Sequence, residues 1–136
     1  MVKLKAEVKK KWLEALRSGS YQQGKQRLRV TTDNSDSFCC LGVLCDITDN
    51  TRWMPVFGIT RYGRYKDAKG AGNSLFRTGF VPDDIADQSF MDLTGAPENS
   101  RSVKLILIAK TQTVLSQMND EGKSFNDIAD WIEANL

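Results

Sequence analysis

Apolar residues recur at helical spacing at both ends of the chain. Near the N-terminus, one stripe is formed by Leu4, Val8, Trp12, Ala15 and Leu16. This spacing predicts a helix over residues 3–18 that ends at Gly19, because glycine readily adopts the left-handed conformation of a C-cap. Near the C-terminus, Ser124 is a natural N-cap with Asp127 three residues on, and the apolar spacing that follows predicts a final helix over residues 125–136.

The most apolar stretch of the chain is residues 38–47. We interpret it as a buried helix whose N-terminus is capped by Asp36 or Ser37. A buried strand stays open as an alternative, because a short and nearly continuous apolar run has no diagnostic period. In either structure, Gly42 indicates a place where another backbone comes close.

Alternation of polar and apolar residues predicts strands. Residues 26–31 alternate in this way and end in turn-forming residues at 33–36. Residues 103–108, with the sequence VKLILI, are the strongest strand candidate. Glycines and aromatic residues between positions 53 and 77 predict short strands joined by turns, with an exposed loop at 66–74.

The remaining pattern predicts further helices. Pro82 at a first helical position and Asp83 in the first turn indicate a short helix that runs to about Leu93. Helical spacing returns at Val114, Leu115 and Met118. The pattern as a whole predicts one α+β domain spanning residues 1–136, in which a small antiparallel sheet packs with an N-terminal helix, a buried cysteine-rich helix and C-terminal helices.

Composition excludes several classes of function. The chain has 136 residues, 40% of them hydrophobic and 26% charged, as is typical of a globular domain. Because no apolar run approaches the roughly 18 residues of a membrane span and the N-terminus lacks the pattern of an export signal, we expect a cytoplasmic protein without a membrane partner. The absence of histidine excludes Ser-His-Asp and Cys-His catalysis and the HExxH zinc site.

Two sets of residues leave an enzymatic interpretation open. Cys39 could act as a nucleophile, because unpaired amides at a helix start lower the pKa of a thiol. Three clustered cysteines without histidine are, however, more typical of buried structural residues than of a zinc site. The pairs Asp83 with Asp84 and Asp46 with Asp49 could act as acid and base, although acids at a helix start usually serve as caps. We therefore predict no catalytic residue, no metal site and no cofactor.

Several motifs carry a resemblance to other proteins. They are WLEALRSG at residues 12–19, Tyr21 with Gln23-Gly24, FCCLGVLCD at 38–46, and MNDEGKSF at 118–125 followed by IAD at 128–130. In this combination the chain resembles a group of short uncharacterised phage and prophage proteins, whereas residues 50–103 carry no resemblance. The resemblance implies a viral or mobile-element origin, and hence the cytoplasm of an infected or lysogenic bacterial host. It implies no activity and no site residues.

Charge is unevenly distributed along the chain, although the net charge is only +2. Bases concentrate in residues 1–29 and 52–82, and acids concentrate in residues 30–51 and 83–136. This separation predicts a face that attracts anions, unless folding mixes the charges again. The basic stretches also hold aromatic residues, and arginine forks beside flat rings suit a nucleotide. The candidate ligand-binding residues are Tyr21, Gln23, Arg27, Arg29, Trp53, Arg61, Tyr62, Arg64, Tyr65 and Lys66, with Arg52 in the same run.

These residues favour a non-enzymatic binding protein that sequesters a small anionic, nucleotide-like ligand, such as an immune signal of the host. In that hypothesis Arg61 and Arg64 hold phosphate, and Tyr62 or Tyr65 stacks on a base. The alternatives are an inhibitor that docks on a host or phage enzyme through the same face, a small enzyme that uses Cys39 or an aspartate pair, and an ordinary strand with buried rings and no ligand. Sequence-specific DNA binding is not expected, because the terminal helix is acidic.

Overall fold

The computed structural model describes residues 2–32, 35–54, 61–67, 76–95 and 100–136, with the side chains of residues 61, 62 and 76 outside the description. The fold is α+β, as predicted. The helices are α1 (Ala6–Arg17), α2 (Cys40–Asp49), α3 (Asp83–Ser89), α4 (Ser100–Asp120) and α5 (Phe125–Asn135), with a short 3-10 helix at Asn50–Arg52. The strands are β1 (Gln22–Gln23), β2 (Arg29–Thr32), β3 (Ser35–Phe38), β4 (Arg61–Tyr62), β5 (Tyr65–Lys66) and β6 (Phe76–Arg77).

Among the described residues, the strands form two small sheets. In the larger sheet the order is β1-β3-β2-β4, and both neighbours of β2 are antiparallel to it, whereas β1 joins β3 in parallel. Strands β5 and β6 form an antiparallel pair. The prediction of short strands between residues 53 and 77 is confirmed where that stretch is described, and residues 68–74 of the predicted loop lie outside the described residues.

The two terminal helices lie against each other, and both were predicted. Helix α1 is followed by Gly19 at φ +75°, which confirms the predicted stop. In α5, the Ser124 hydroxyl accepts a hydrogen bond from the Asp127 amide at 3.1 Å. Arg17 of α1 donates to Asp130 of α5 at 2.8 Å, so folding brings part of the basic N-terminal stretch onto the acidic C-terminal one.

Helix α2 is buried in the core, which settles the open choice between helix and strand. Its N-cap is Cys39, whose sulfur accepts from the Gly42 amide at 3.4 Å; the predicted caps are wrong, because Asp36 and Ser37 belong to β3. Gly42 is required here, since an added Cβ would lie 1.7 Å from the carbonyl oxygen of Leu28.

The predicted strand at residues 103–108 is wrong, because these residues belong to the first half of α4. The buried residues of α4 recur at helical spacing, and they are Lys104, Ile108, Gln112, Leu115 and Asn119. Apolar residues such as Ile106 also occupy the opposite, exposed side of the helix. Apolar residues on both sides hide the period of 3.6 and leave a local alternation that resembles a strand.

The N-terminal segment packs beside the end of α3. Leu4 forms an isolated β-bridge with Phe90, and the Met91 amide donates to the Lys3 carbonyl at 2.8 Å. These contacts explain why α1 begins only at Ala6 and why α3 ends at Ser89, before the predicted Leu93. The core lies among α1, α2, α4 and α5, and its fully buried members include Trp12, Leu41, Ile108, Leu115, Ile128 and Ile132. Within the described ranges, the helices fall short of the length and apolarity that crossing a membrane requires.

Candidate functional site

Four aromatic rings from separate parts of the chain meet beside the larger sheet. Tyr21 contacts Phe38 with ring centroids 5.1 Å apart, and Phe38 contacts Trp53 at 6.1 Å. Trp53 in turn contacts Tyr65 at 4.9 Å, and all three pairs meet edge to face. We call these four rings, together with Arg29, the aromatic cluster. The structure thus brings together four of the candidate residues predicted from the sequence: Tyr21, Arg29, Trp53 and Tyr65.

Arg29 lies over two rings of the cluster. Its guanidinium carbon is 5.5 Å from the centroid of Phe38 and 5.3 Å from that of Trp53, within the range of cation–π attraction. One terminal nitrogen donates to Asp36 at 2.7 Å. The Nε atom is buried and has no hydrogen-bond partner among the described residues. The cation of Arg29 is therefore held on a carboxylate, while its buried Nε–H group has no partner in the described ranges.

Asp46 of α2 connects two rings of the cluster. The Tyr21 hydroxyl donates to Asp46 at 2.6 Å, and the Trp53 indole nitrogen donates to it at 3.0 Å. Burial, together with the bond to Asp46, raises the pKa of Tyr21 well above its ordinary value. Asp49 instead accepts from the amide and hydroxyl of Thr51. The two carboxylates of the predicted acid pair therefore have different partners.

Arg52 extends the cluster on the side of Tyr65. This arginine is only 6% exposed, its guanidinium carbon is 4.9 Å from the Tyr65 ring centroid, and it donates to both oxygens of Asp84 at 2.6 and 3.1 Å. It also donates to the carbonyl of Lys66. The Tyr65 hydroxyl donates to the Asp49 carbonyl at 2.9 Å. Arg29 and Arg52, which touch these rings, thus each hold a carboxylate of the same chain.

The other candidate residues lie elsewhere or outside the described residues. Gln23 donates to Asn119 at 3.1 Å and accepts from the amide of Phe125, so it joins β1 to α4 and α5. Arg27, Arg64 and Lys66 are exposed. The backbones of Arg61 and Tyr62 pair with β2, while their side chains lie outside the described residues.

The three cysteines are buried thiols. Cys39 stands at the start of α2, but burial raises its pKa to about 11, because a thiolate loses its hydration there. Burial raises the pKa of Cys40 and Cys45 as well. All three are therefore protonated at neutral pH. Across the described ranges, we find no group of three or more cysteine and acidic side chains placed to hold a metal ion.

A second surface was missed from the sequence. The outer face of α4 consists of Val103, Ile106, Lys110 and Val114, which recur at spacings of three and four and so lie on one side of the helix. Val103 is 44% exposed, Ile106 is 57% exposed and Val114 is 41% exposed. The signal was present in the sequence, since apolar residues lie on both sides of α4, but it was interpreted as a strand.

A groove adjoins this face between α4 and α5. Its volume is about 290 Å³, and it is lined by Val2, Leu107, Lys110, Thr111, Val114 and Trp131. Of the described residues that line it, only Lys110 has an ionisable side chain. Among the described residues, Lys110 has no ion-pair partner. In the described part of the chain, this surface therefore combines apolar side chains with Thr111 and one cation.

A family model matches residues 4–136, a range that includes every helix from α1 to α5. The chain belongs to the family described as Domain of unknown function (DUF8296). This match extends across residues 50–103, where the motifs of the sequence carried no resemblance. No curated protein and no solved structure matches the chain.

Proposed function

We propose that this chain is a non-enzymatic binding protein that docks on another protein through the outer face of α4. One observation carries the proposal: three large apolar side chains of this face, those of Val103, Ile106 and Val114, are 41% to 57% exposed. A helix on the surface of a globular protein normally carries polar and charged residues on its exposed side, whereas α4 carries these three apolar side chains there. Contiguous exposed apolar side chains of this kind mark protein interaction surfaces.

Lys110 supports a partner other than a second copy of the chain. It lies near the middle of the face, with Val103 and Ile106 before it and Val114 after it. Two copies packed symmetrically about the centre of this face would bring the two Lys110 side chains together. Because like charges facing each other oppose association, the favoured partner is a different protein with a carboxylate at that position.

In its full form, the proposal is a phage-encoded inhibitor that docks on a host or phage enzyme in the bacterial cytoplasm. The viral part rests on the sequence resemblance to phage and prophage proteins. The buried, protonated thiol of Cys39 is consistent with action by docking, because a thiolate is the reactive form of cysteine. An inhibitor needs only an anchored surface that blocks its target.

Site-specific photo-crosslinking in bacterial lysate tests the proposal. A photoreactive amino acid at position 106 should crosslink to a host or phage protein, whereas the same group at position 10, on the exposed side of α1, should not. The captured protein, once purified, should bind the wild-type chain and bind Ile106→Glu at least tenfold more weakly. A crosslink between two copies of the chain, or equal labelling from both positions, would contradict docking on a different protein.

A second candidate is capture of an anionic, nucleotide-like ligand at the aromatic cluster. The observation in its favour is the buried Nε of Arg29, a donor with no partner in the described part of the chain, beside the ring of Trp53. It ranks second because Arg29 and Arg52 already hold Asp36 and Asp84. A ligand would have to compete with those carboxylates.

Thermal shift against nucleotides and cyclic nucleotides tests the second candidate. A ligand that binds only the folded state raises the melting temperature, and the rise grows with the logarithm of ligand concentration over Kd. The wild type should respond and Arg29→Met should not. A panel that leaves the wild-type melting temperature unchanged at millimolar ligand would eliminate this candidate without affecting the first.

A further inference from the structure

We infer that the partner presents an amphipathic helix, which places an apolar side chain in the groove between α4 and α5 and a carboxylate against Lys110. This inference rests on the proposed docking function and specifies what docks. It is carried by the shape of the groove, by the chemistry of the α4 surface and by the position of one charge.

The groove continues into a second hollow. Val2 lines both the 290 Å³ groove and a neighbouring hollow of about 130 Å³, so the two adjoin. Met91, which lines the second hollow, is 53% exposed. A track of two hollows therefore runs from Trp131 of α5, past Val2, to Met91, and Lys3, Asp92 and Thr94 also line its second hollow. A partner segment with one large apolar side chain for each hollow fits this track better than a flat surface does.

The chemistry of α4 favours a helix over a strand as the docked segment. The backbone groups within α4 are used in its own hydrogen bonds, so an extended segment finds no sheet edge to join. A helix can bind through side chains alone, with anchors at the i, i+3/i+4 and i+7 positions. From Val103 to Val114 the face spans about three turns, so a partner helix of three to four turns would cover it.

Lys110 selects the charge of the partner. It lines the groove together with Thr111 and with the apolar side chains of Leu107, Val114 and Trp131. Covering these residues removes water from the ammonium group, and a buried cation without a partner is costly. An aspartate or glutamate on the docked helix offsets that cost and fixes the register of the complex.

Selection from a displayed library of helical peptides, with randomised apolar and charged positions, tests the inference. Wild-type protein should enrich peptides that carry large apolar residues at i, i+4 and i+7 beside an aspartate or glutamate. Lys110→Glu should instead enrich peptides with lysine or arginine at that position. An acidic peptide selected by the wild type should bind Lys110→Glu about tenfold more weakly or worse. Both proteins should melt at the same temperature, because Lys110 is exposed.

The outcomes separate this inference from the proposed function. Enriched peptides that need Ile106 but show no charge preference, or that keep the same preference with Lys110→Glu, would overturn the inference and leave the docking face intact. Crosslinking of a protein from position 106 without enrichment of any helical peptide would also overturn the inference alone. Failure of both experiments would remove the docking face itself.

Discussion

The aromatic cluster and the outer face of α4 use their side chains in opposite ways. In the cluster, Arg29 holds Asp36, and Asp46 accepts from Tyr21 and Trp53. On the outer face of α4, Ile106 is 57% exposed, and Lys110 has no ion-pair partner in the part of the chain that the structure describes. The arginine and aromatic residues, which most resemble a ligand site, bind other residues of the same chain. The outer face of α4 instead keeps large apolar side chains exposed.

The difference shows that residue type alone does not identify a binding surface. Arginine beside aromatic rings suits phosphate and bases, but the same groups also stabilise a fold when carboxylates of the chain reach them. Arg52 and Asp84 lie far apart in sequence and meet only after folding. A surface is available for binding when the fold leaves its side chains exposed and without partners.

We expect the largest difference in stability between alanine variants of two isoleucines of α4, Ile106 and Ile108. Ile108 is fully buried, so Ile108→Ala should lower the free energy of unfolding by about 3 kcal/mol through lost burial and a cavity. Ile106→Ala should lower it by less than about 0.5 kcal/mol, because that side chain is exposed. Urea unfolding followed by circular dichroism measures both. Equal losses would mean that the outer face of α4 is part of the core.

The next largest change in stability tests whether Arg52 stabilises the fold. Arg52→Ala leaves Asp84 without its cation and removes the contact with Tyr65, so we expect the free energy of unfolding to fall by about 2 kcal/mol. This loss is smaller than for a fully buried ion pair, because water can hydrate Asp84 again in the variant. Lys66→Ala is the matched control, since only its carbonyl binds Arg52, and it should cost less than about 0.5 kcal/mol. An unfolding curve of Arg52→Ala that overlays the wild-type curve would contradict this role.

A smaller change in stability is expected at Asp46, the carboxylate that accepts hydrogen bonds from Tyr21 and Trp53. Tyr21→Phe keeps the ring against Phe38 but removes the hydrogen bond to Asp46, and it should cost about 1 kcal/mol. A double-mutant cycle with Asp46→Ala, which removes the accepting oxygens, should give a coupling energy of similar size between Tyr21 and Asp46 when measured by chemical denaturation. Additive effects of the two changes would show that this bond does not stabilise the cluster.

The smallest effect distinguishes two lysines of α4. Lys104 is buried, and its ammonium group donates to Asp92 at 2.9 Å and to Asp87 at 3.0 Å. Its hydrogen bond lowers the pKa of Asp92 below the ordinary 3.8. A carboxylate with a lowered pKa in the folded state stabilises the fold above its ordinary pKa, and this contribution is lost as the pH falls through the lowered value.

Thermal melting between pH 6 and pH 3 should therefore show a smaller acid loss for Asp92→Asn than for the wild type. Lys110→Ala should keep the wild-type pH profile, because Lys110 has no carboxylate partner in the described ranges. A Lys110→Ala profile that flattens like that of Asp92→Asn would show that Lys110 is engaged within the fold.

Elements with strong local signals were predictable from the sequence, and elements with mixed signals were not. The Ser124 cap and the stop at Gly19 depend on neighbouring residues, and both were found in place. Residues 103–108 were predicted to be a strand because apolar residues on both sides of α4 hide its period. The cap of α2 was also missed, because a cysteine sulfur is an unusual acceptor for a helix N-terminus.

The candidate site was only partly predictable for a similar reason. The nearness of Tyr21, Arg29, Trp53 and Tyr65 was anticipated as a convergence of rings and guanidinium groups, and these four do meet. Gln23 was placed in the same set, although it joins Asn119 and Phe125 instead. That partnership spans about a hundred residues of chain, and no local pattern marks it.

The sequence by itself determined the helix stops and caps at the two ends, the α+β class and the burial of the cysteine stretch, because these depend on residues a few positions apart. Only the tertiary structure decided which carboxylate each arginine holds and which side of α4 stays exposed. Those outcomes depend on how distant elements pack. An ion pair such as Arg52 with Asp84 forms through space, so the spacing of its members along the chain does not reveal it.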